Sequence, residues 1–530
     1  MPQNQRRLIA AVAAVASVAA VAGALILLIA LPVARSGFSP TATVASATAV
    51  PWVPGPSRPP TTGSGNDPAS VSRIRNVVLI LADDLDWKLW NQIPRLKALE
   101  QQGTTFTNYS VADSLCCPSR TSILRSQYVH NHQVISNDST RGGGWPTYRD
   151  AGYTANSLPN WLQAAGVSTG LVGKYLNQYP ETIAEETTVP AGWDTFVVPT
   201  SRGQDYVGFD YRLNRNGKIE PHGNAPADFL NDVLTAAGVE FLAQASSKGE
   251  PFFLEVAPFT PHLPSPVAPR HRGSHAGEQA PRDPAFGTAV SDPPGWLAGL
   301  RPLGPKVIAN LDRTWVRRAE SAESVADTVD AVRAELARSG RAQDTLVLVS
   351  SDNGFHVGSY RTHRGKRSGF DVDTVVPLVA IGPGIARGGV DDRVASAVDL
   401  APTIAEVMHA AAPGWVDGRS LVPLLRDPAA PTPWRTGVLS ESLGKVQPGD
   451  PDFQLIVAPP FHALRTQRWL YIESANGDVE LYDRIADPYE IANIAATTPP
   501  GTLGPLRAQL RALSACAGPT CRIADAMPNE

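Results

Sequence analysis

Cysteine is scarce in this chain: four residues in 530, too few for a disulfide framework. Net charge is slight as well, −4 at pH 7, which removes the electrostatic case for binding nucleic acid. No internal repeat is evident. What is present is a hydrophobic content of 43%. That is enough to bury a sizeable core in one large or two modest domains.

Two of the four cysteines, Cys516 and Cys521, stand close together near the C-terminus. A short disulfide between them fits an oxidising compartment; two unpaired thiols is the alternative. At the other end, Arg6 and Arg7 precede an uncharged apolar run over residues 8–34. The run is long enough to cross a bilayer. The two positive residues before it place the N-terminus in the cytoplasm and the rest of the chain outside. A secreted protein is the alternative, with Ala45-Ser46-Ala47 as a late cleavage site or Arg6-Arg7 as a weak twin-Arg export signal. Residues 1–35 are therefore read as anchor or signal. Residues 36–72, rich in Pro, Ser, Thr and Gly, read as a flexible linker.

After the linker, residues 76–82 form a continuous apolar run with β-branched members. Such a run predicts a strand buried on both faces, as in a parallel sheet. Asp83 and Asp84 follow at once. Residues 345–350 form a second such strand, running into Asp352 and Asn353. Ahead of it, Ala322, Val325, Val329, Val332 and Leu336 recur at helical spacing. A helix leading into an apolar strand is half of a doubly wound unit. Ligands bind outside the carboxyl ends of strands in such sheets. Four oxygen ligands from two strand ends therefore suit Ca²⁺ or Mg²⁺. Residues 168–172 lead to Lys174 and Asn177, and residues 252–257 lead to His262. Cation ligands, a lysine and a histidine thus recur at one predicted sheet edge.

The stretch Leu115-Cys116-Cys117-Pro118-Ser119-Arg120 carries the remaining chemistry. Pro118 suits the first turn of a helix. Cys116 would stand beside that helix N-terminus, which favours negative charge, and Arg120 lies one turn on. Cys117 directly precedes Pro118, so its backbone is expected to be extended. A soft thiolate is a poor partner for a hard cation, so oxygen ligands and Cys116 are reconciled only if Cys116 is modified. Residues 263–305, with Arg270, His271, Arg272 and His275, read either as a loop contacting an anionic substrate or as a solvated loop. Further on, Lys366 is a second candidate lysine. Val398 to Thr403 opens a helix. Residues 469–472 and 479–482 with Asn476-Gly477 between them predict a hairpin. Residues 73–414 are taken as the catalytic domain and 415–530 as a smaller α+β subdomain.

Cys-x-Pro-Ser-Arg, read with Asp83-Asp84, Gly173-Lys174-Tyr175-Leu176-Asn177 and Asp352-Asn353-Gly354-Phe355-His356, resembles the formylglycine-dependent sulfatases. With His130-Asn131-His132, it looks most like their glucosamine-6-sulfatase and extracellular heparan-sulfatase branch. The resemblance implies an alkaline-phosphatase-like α/β fold, a mostly parallel sheet flanked by helices. It implies Ca²⁺, with Mg²⁺ second, held by Asp83, Asp84, Asp352, Asn353 and a modified Cys116. A formylglycine-generating enzyme would convert Cys116. Arg120 would stabilise the aldehyde hydrate. Lys174, His262 and Lys366 would hold the sulfate and assist the leaving oxygen, and Asn177 and His356 are further candidates for substrate contact. Two marks depart from the family: Leu176 stands where many arylsulfatases have a histidine, and Leu124-Arg125-Ser126 replaces Leu-Thr-Gly.

The expected function is hydrolysis of an O-sulfate ester, on a sugar such as N-acetylglucosamine 6-sulfate, outside the cytoplasm. The rivals are an arylsulfatase of small aromatic sulfates, a phosphoesterase on the same fold, and a non-catalytic glycan-binding protein. Phosphoesterases place Thr or Ser as nucleophile, which Cys116 argues against. An intact set of candidate ligands argues against the binding protein.

Overall fold

A computed structural model describes residues 71, 73–201, 203–428, 433–445 and 456–529. The expected anchor and linker lie outside the described residues. Among the described residues no helix is long and apolar enough to cross a membrane.

Strand β1 (Asn76–Ala82) is buried at every position. Val77, Leu79 and Leu81 enter one apolar cluster, and Val78, Ile80 and Ala82 enter another on the opposite face. Burial on both faces explains why the run is continuous rather than alternating. Each fully buried Val, Leu or Ile there contributes about 1.5–3 kcal/mol.

Nine further strands extend the sheet: β2 (Thr104–Phe106), β3 (Ser168–Gly173), β4 (Thr195–Pro199), β5 (Arg212–Arg215), β6 (Lys218–Pro221), β7 (Phe252–Ala257), β8 (Thr345–Ser351), β9 (Leu378–Ile381) and β10 (Gly389–Asp391). Their order is β10-β2-β9-β8-β1-β7-β3-β4-β5-β6. The central strands β8-β1-β7-β3-β4 are all parallel, so their carboxyl ends share one edge. Helices α1 (Cys116–Arg125), α2 (Leu158–Ala164) and α5 (Leu400–Val407) pack on one face. Helices α3 (Leu230–Lys248) and α4 (Pro305–Arg338) pack on the other. Helix α4 starts well before the apolar spacing that predicts it. Its first turns alternate the exposed Lys306 and Asn310 with Val307, Leu311 and Trp315, which carry the same apolar face further toward the N-terminus.

The candidate anionic-substrate loop is fastened to the protein instead. Arg270 pairs with Asp232 of α3 and Asp327 of α4, His271 with Asp327, and His275 with Glu323 of α4 and Glu278. Arg272 stays exposed. The acidic face of α4 is what sequence spacing left unmatched to this loop.

A separate antiparallel sheet follows: β11 (Gly437–Ser442), β12 (Phe461–Thr466), β13 (Trp469–Ser474) and β14 (Val479–Asp483), in that order. The expected hairpin is β13–β14, and Gly477 takes φ +93° in its turn. Helix α6 (Pro500–Leu513) covers this sheet. Cys516 and Cys521 are joined, S–S 1.98 Å, and pack in the same cluster.

Candidate active site

Four neighbouring strands deliver the site. Asp83 and Asp84 leave β1, Asp352 and Asn353 leave β8, Lys174 leaves β3, and His262 follows β7. Asp84 takes a left-handed backbone conformation, φ +66°, which costs a residue with a side chain about 1 kcal/mol or more. The turn is held from two sides. Asp84 N donates to Asp352 Oδ1 at 3.2 Å, and Arg318 of α4 donates to Asp84 O at 2.6 Å and to Asp86 Oδ2 at 2.9 Å. Cys116 is the first residue of α1, so the helix N-terminus faces the same edge.

Three carboxylates meet three cations pairwise. Lys174 Nζ lies 2.6 Å from Asp83 Oδ2, Lys366 Nζ lies 2.9 Å from Asp84 Oδ1, and Arg120 Nε lies 2.8 Å from Asp352 Oδ2. Cys116 Sγ sits between them, 3.4 Å from Asp83 Oδ1 and 2.9 Å from Lys366 Nζ. His262 Nε2 stands 3.7 Å from Asp84 Oδ2, while its Nδ1 lies 2.6 Å from Leu263 O. Asp83, Asp84, Asp352 and Asn353 are all buried. Breaking one such buried pair typically costs about 3–5 kcal/mol, because it strands a charge away from water.

Burial pushes the Cys116 thiol well above its ordinary pKa, and Asp83 pushes the same way. The thiol therefore stays protonated, and a thiolate nucleophile is disfavoured. Burial alone would lower the Lys174 ammonium, but the Asp83 carboxylate outweighs it, so Lys174 is held charged.

The donor set fits a hard cation. Asp84 Oδ2 and Asn353 Oδ1 are buried and accept no hydrogen bond, an expensive arrangement for oxygens that nothing else satisfies. Asp83, Asp84, Cys116 and His262 offer ligand atoms within 4.8 Å of one another. Carboxylate and amide oxygens of this kind suit Ca²⁺ or Mg²⁺. Buried thiol sulfur does not.

Nine of the residues singled out in the sequence thus gather at one edge: Asp83, Asp84, Cys116, Arg120, Lys174, His262, Asp352, Asn353 and Lys366. Asn177 reaches them through Tyr206, its Nδ2 lying 3.5 Å from the Tyr206 hydroxyl. His356 is buried, with Nδ1 3.0 Å from Asp373. His130, Asn131 and His132 serve as ties between segments. His130 spans Glu441 and the Cys516 carbonyl, Asn131 bonds Asp417 and the same carbonyl, and His132 bonds Ser122.

Cys117 corrects one expectation. It is helical, inside α1, not extended. The Asn137 carboxamide caps its N–H at 2.9 Å, and such tertiary ties outweigh the local bias before proline. Its side chain packs in the apolar cluster. Burial pushes its thiol up to about 11.

Sequence reasoning missed Tyr206 and Arg318 at this edge and Glu255 within β7, and it quoted Ser119 in its motif without giving it a role. Ser119 donates to Asp352 O at 2.5 Å. A charged Glu255 inside an otherwise apolar strand run was the one visible signal. Nothing local marks Tyr206, whose place depends on how a loop folds over the edge.

The sulfatase family profile matches residues 75–410, and an N-sulphoglucosamine sulphohydrolase C-terminal profile matches residues 362–512. The chain is 33% identical over 490 residues to the N-acetylglucosamine-6-sulfatase of Homo sapiens, covering 86% of this chain and 87% of that protein. It is 29% identical to an arylsulfatase of Volvox carteri, covering 84% of this chain and 75% of that protein. Among solved structures, it is similar to a protein in complex with its substrate D-glucosamine-2-N,6-O-disulfate. The TM-score is 0.71 at 19% identity, over 86% of this chain and all of that one (100%).

Proposed function

We propose, from the premise that the chain belongs to the sulfatase family and hydrolyses sulfuric ester bonds, that its substrate is a sulfated carbohydrate such as an N-acetylglucosamine 6-sulfate unit. The observation that carries the reading is the pairing of Asp83, Asp84 and Asp352 with Lys174, Lys366 and Arg120 around Cys116. The similarity to an N-acetylglucosamine-6-sulfatase along most of both chains supports the sugar.

In this reading Asp83, Asp84, Asp352 and Asn353 hold Ca²⁺, and Cys116 is converted to formylglycine. When bound, the cation supplies fixed positive charge to the sulfuryl oxygens, and the hydrated aldehyde supplies an oxygen nucleophile in place of a protonated thiol. Lys174 and Lys366 hold the sulfate. Lys174 and His262 face the leaving oxygen, where developing charge needs donors. Arg120 holds Asp352 and the Lys174 carbonyl in place. The Cys516–Cys521 bond supports work outside the cytoplasm.

Desulfation of defined mono- and oligosaccharide sulfates tests the substrate, with an aryl sulfate and an aryl phosphate alongside. Release of sulfate from a 6-sulfated glucosamine is the expected result. Turnover of the phosphate alone would overturn the reading.

A further inference from the structure

We propose that Tyr206 is a positioning residue that aims Lys174 and His262 at the leaving oxygen. The proposal rests on the sulfatase reading above. Tyr206 lies on the loop between β4 and β5, in a short helical turn, Gln204–Val207. The loop is braced within itself and tied to α3. Asp205 accepts from Ser201 N at 3.1 Å, and the Gly208 carbonyl accepts from Leu230 N of α3 at 3.0 Å. The tyrosine ring is therefore fixed relative to the sheet edge.

Its ring touches both donors. The His262 ring centroid lies 4.6 Å away, tilted 45°. Lys174 Nζ lies 5.4 Å from the Tyr206 centroid, within reach of a cation–π contact. Phe259 packs against the same ring edge-on at 5.1 Å and 85°. Lys174 already gives one hydrogen to Asp83, and His262 already directs Nδ1 at the Leu263 carbonyl. The ring restricts what freedom remains to the ammonium and the imidazole. The contacts with His262, Lys174 and Phe259 are made by the ring, and the effect is assigned to it.

Leaving-group dependence reads this role directly. An acidic phenol leaves with little help, whereas an alkyl or sugar alcohol needs its developing charge stabilised. Loss of aim should therefore grow with the pKa of the departing alcohol. The experiment compares kcat/KM on nitrophenyl sulfate, hexyl sulfate and N-acetylglucosamine 6-sulfate for wild type, Tyr206→Phe, Tyr206→Leu and Tyr206→Met. Folding of each variant is checked by thermal midpoint and Ca²⁺ binding. Tyr206→Leu should lose on the order of tenfold more on the hexyl and sugar sulfates than on the aryl sulfate, and Tyr206→Phe should stay within about twofold of wild type on all three. If the leucine variant does not fold, the methionine variant answers the same question. An equal loss on all three substrates would overturn the proposal in favour of a structural role. A loss confined to the sugar sulfate would overturn it in favour of a sugar-contacting ring. A wild type inactive on every sulfate would instead defeat the sulfatase reading, and this proposal with it.

Discussion

Glu255 is a carboxyl in an apolar layer, and its charge can be removed with little change of shape. It sits mid-strand in β7, between Leu79 of β1 and Leu171 of β3, with 5% of its surface exposed. One carboxylate oxygen accepts no hydrogen bond. Burial pushes its pKa from 4.5 up to about 7, against a smaller opposing pull from Arg120. A raised folded value means that the group's stability contribution is intact below pH 4.5 and lost as pH rises towards 7. The loss is about 1.4 kcal/mol for each pH unit across that window, about 3 kcal/mol in all. Glu255→Gln removes the titration. Its amide adds a constant offset of either sign, so the slope carries the information. The assay is the difference in thermal midpoint between variant and wild type, from about pH 4 to about pH 8. The difference should move in the variant's favour by about 3 °C for a folded body of this length, with the change confined to the window between 4.5 and 7. A difference that stays flat with pH would refute the account of Glu255 as a neutral acid at low pH and a buried charge at high pH.

Peptide mass spectrometry across Leu115 to Arg120 should find an aldehyde at residue 116 and none at 117. Cys116→Ala should abolish turnover. Cys117→Ala should keep most of it and lose about 1 kcal/mol of stability from the small cavity; an aldehyde at 117 would reverse the assignment. Asp352→Asn should lose Ca²⁺ binding by titration calorimetry together with turnover, and full activity of that variant after exhaustive chelation would remove Asp352 from the site. Reducing the Cys516–Cys521 bond should cost about 2 kcal/mol through the freed loop entropy, and an unchanged midpoint under reductant would show the bond to be dispensable.

Much of the central sheet was legible. The runs at 76–82 and 345–350 match β1 and β8 because strands buried on both faces leave an unbroken apolar signature. Asp83, Asp84, Asp352 and Asn353 were legible for the same reason, since each follows such a strand directly. Helix α4 was legible from its apolar spacing over 322–336, and the structure extends it through Val307, Leu311 and Trp315, which carry the same face toward its N-terminus. The outer strands β5 and β6, the latter at the sheet edge, were not legible, as Arg212–Arg215 and Lys218–Pro221 carry charges and little apolar pattern.

The amino-acid order by itself determined which residues could do the chemistry and that parallel strands present them at one edge, because strand burial and motif spacing are local in the chain. The tertiary structure decided the pairing. That Lys174 answers Asp83, Lys366 answers Asp84 and Arg120 answers Asp352 depends on the order β8-β1-β7-β3 and on where α1 lands. It decided against an extended Cys117, because the tie from Asn137 comes from elsewhere in the fold. It also set Tyr206 over Lys174 and His262, and Arg270 and His271 onto α3 and α4. These contacts join segments far apart in sequence, and their energies depend on burial and distance, which residue order alone does not encode.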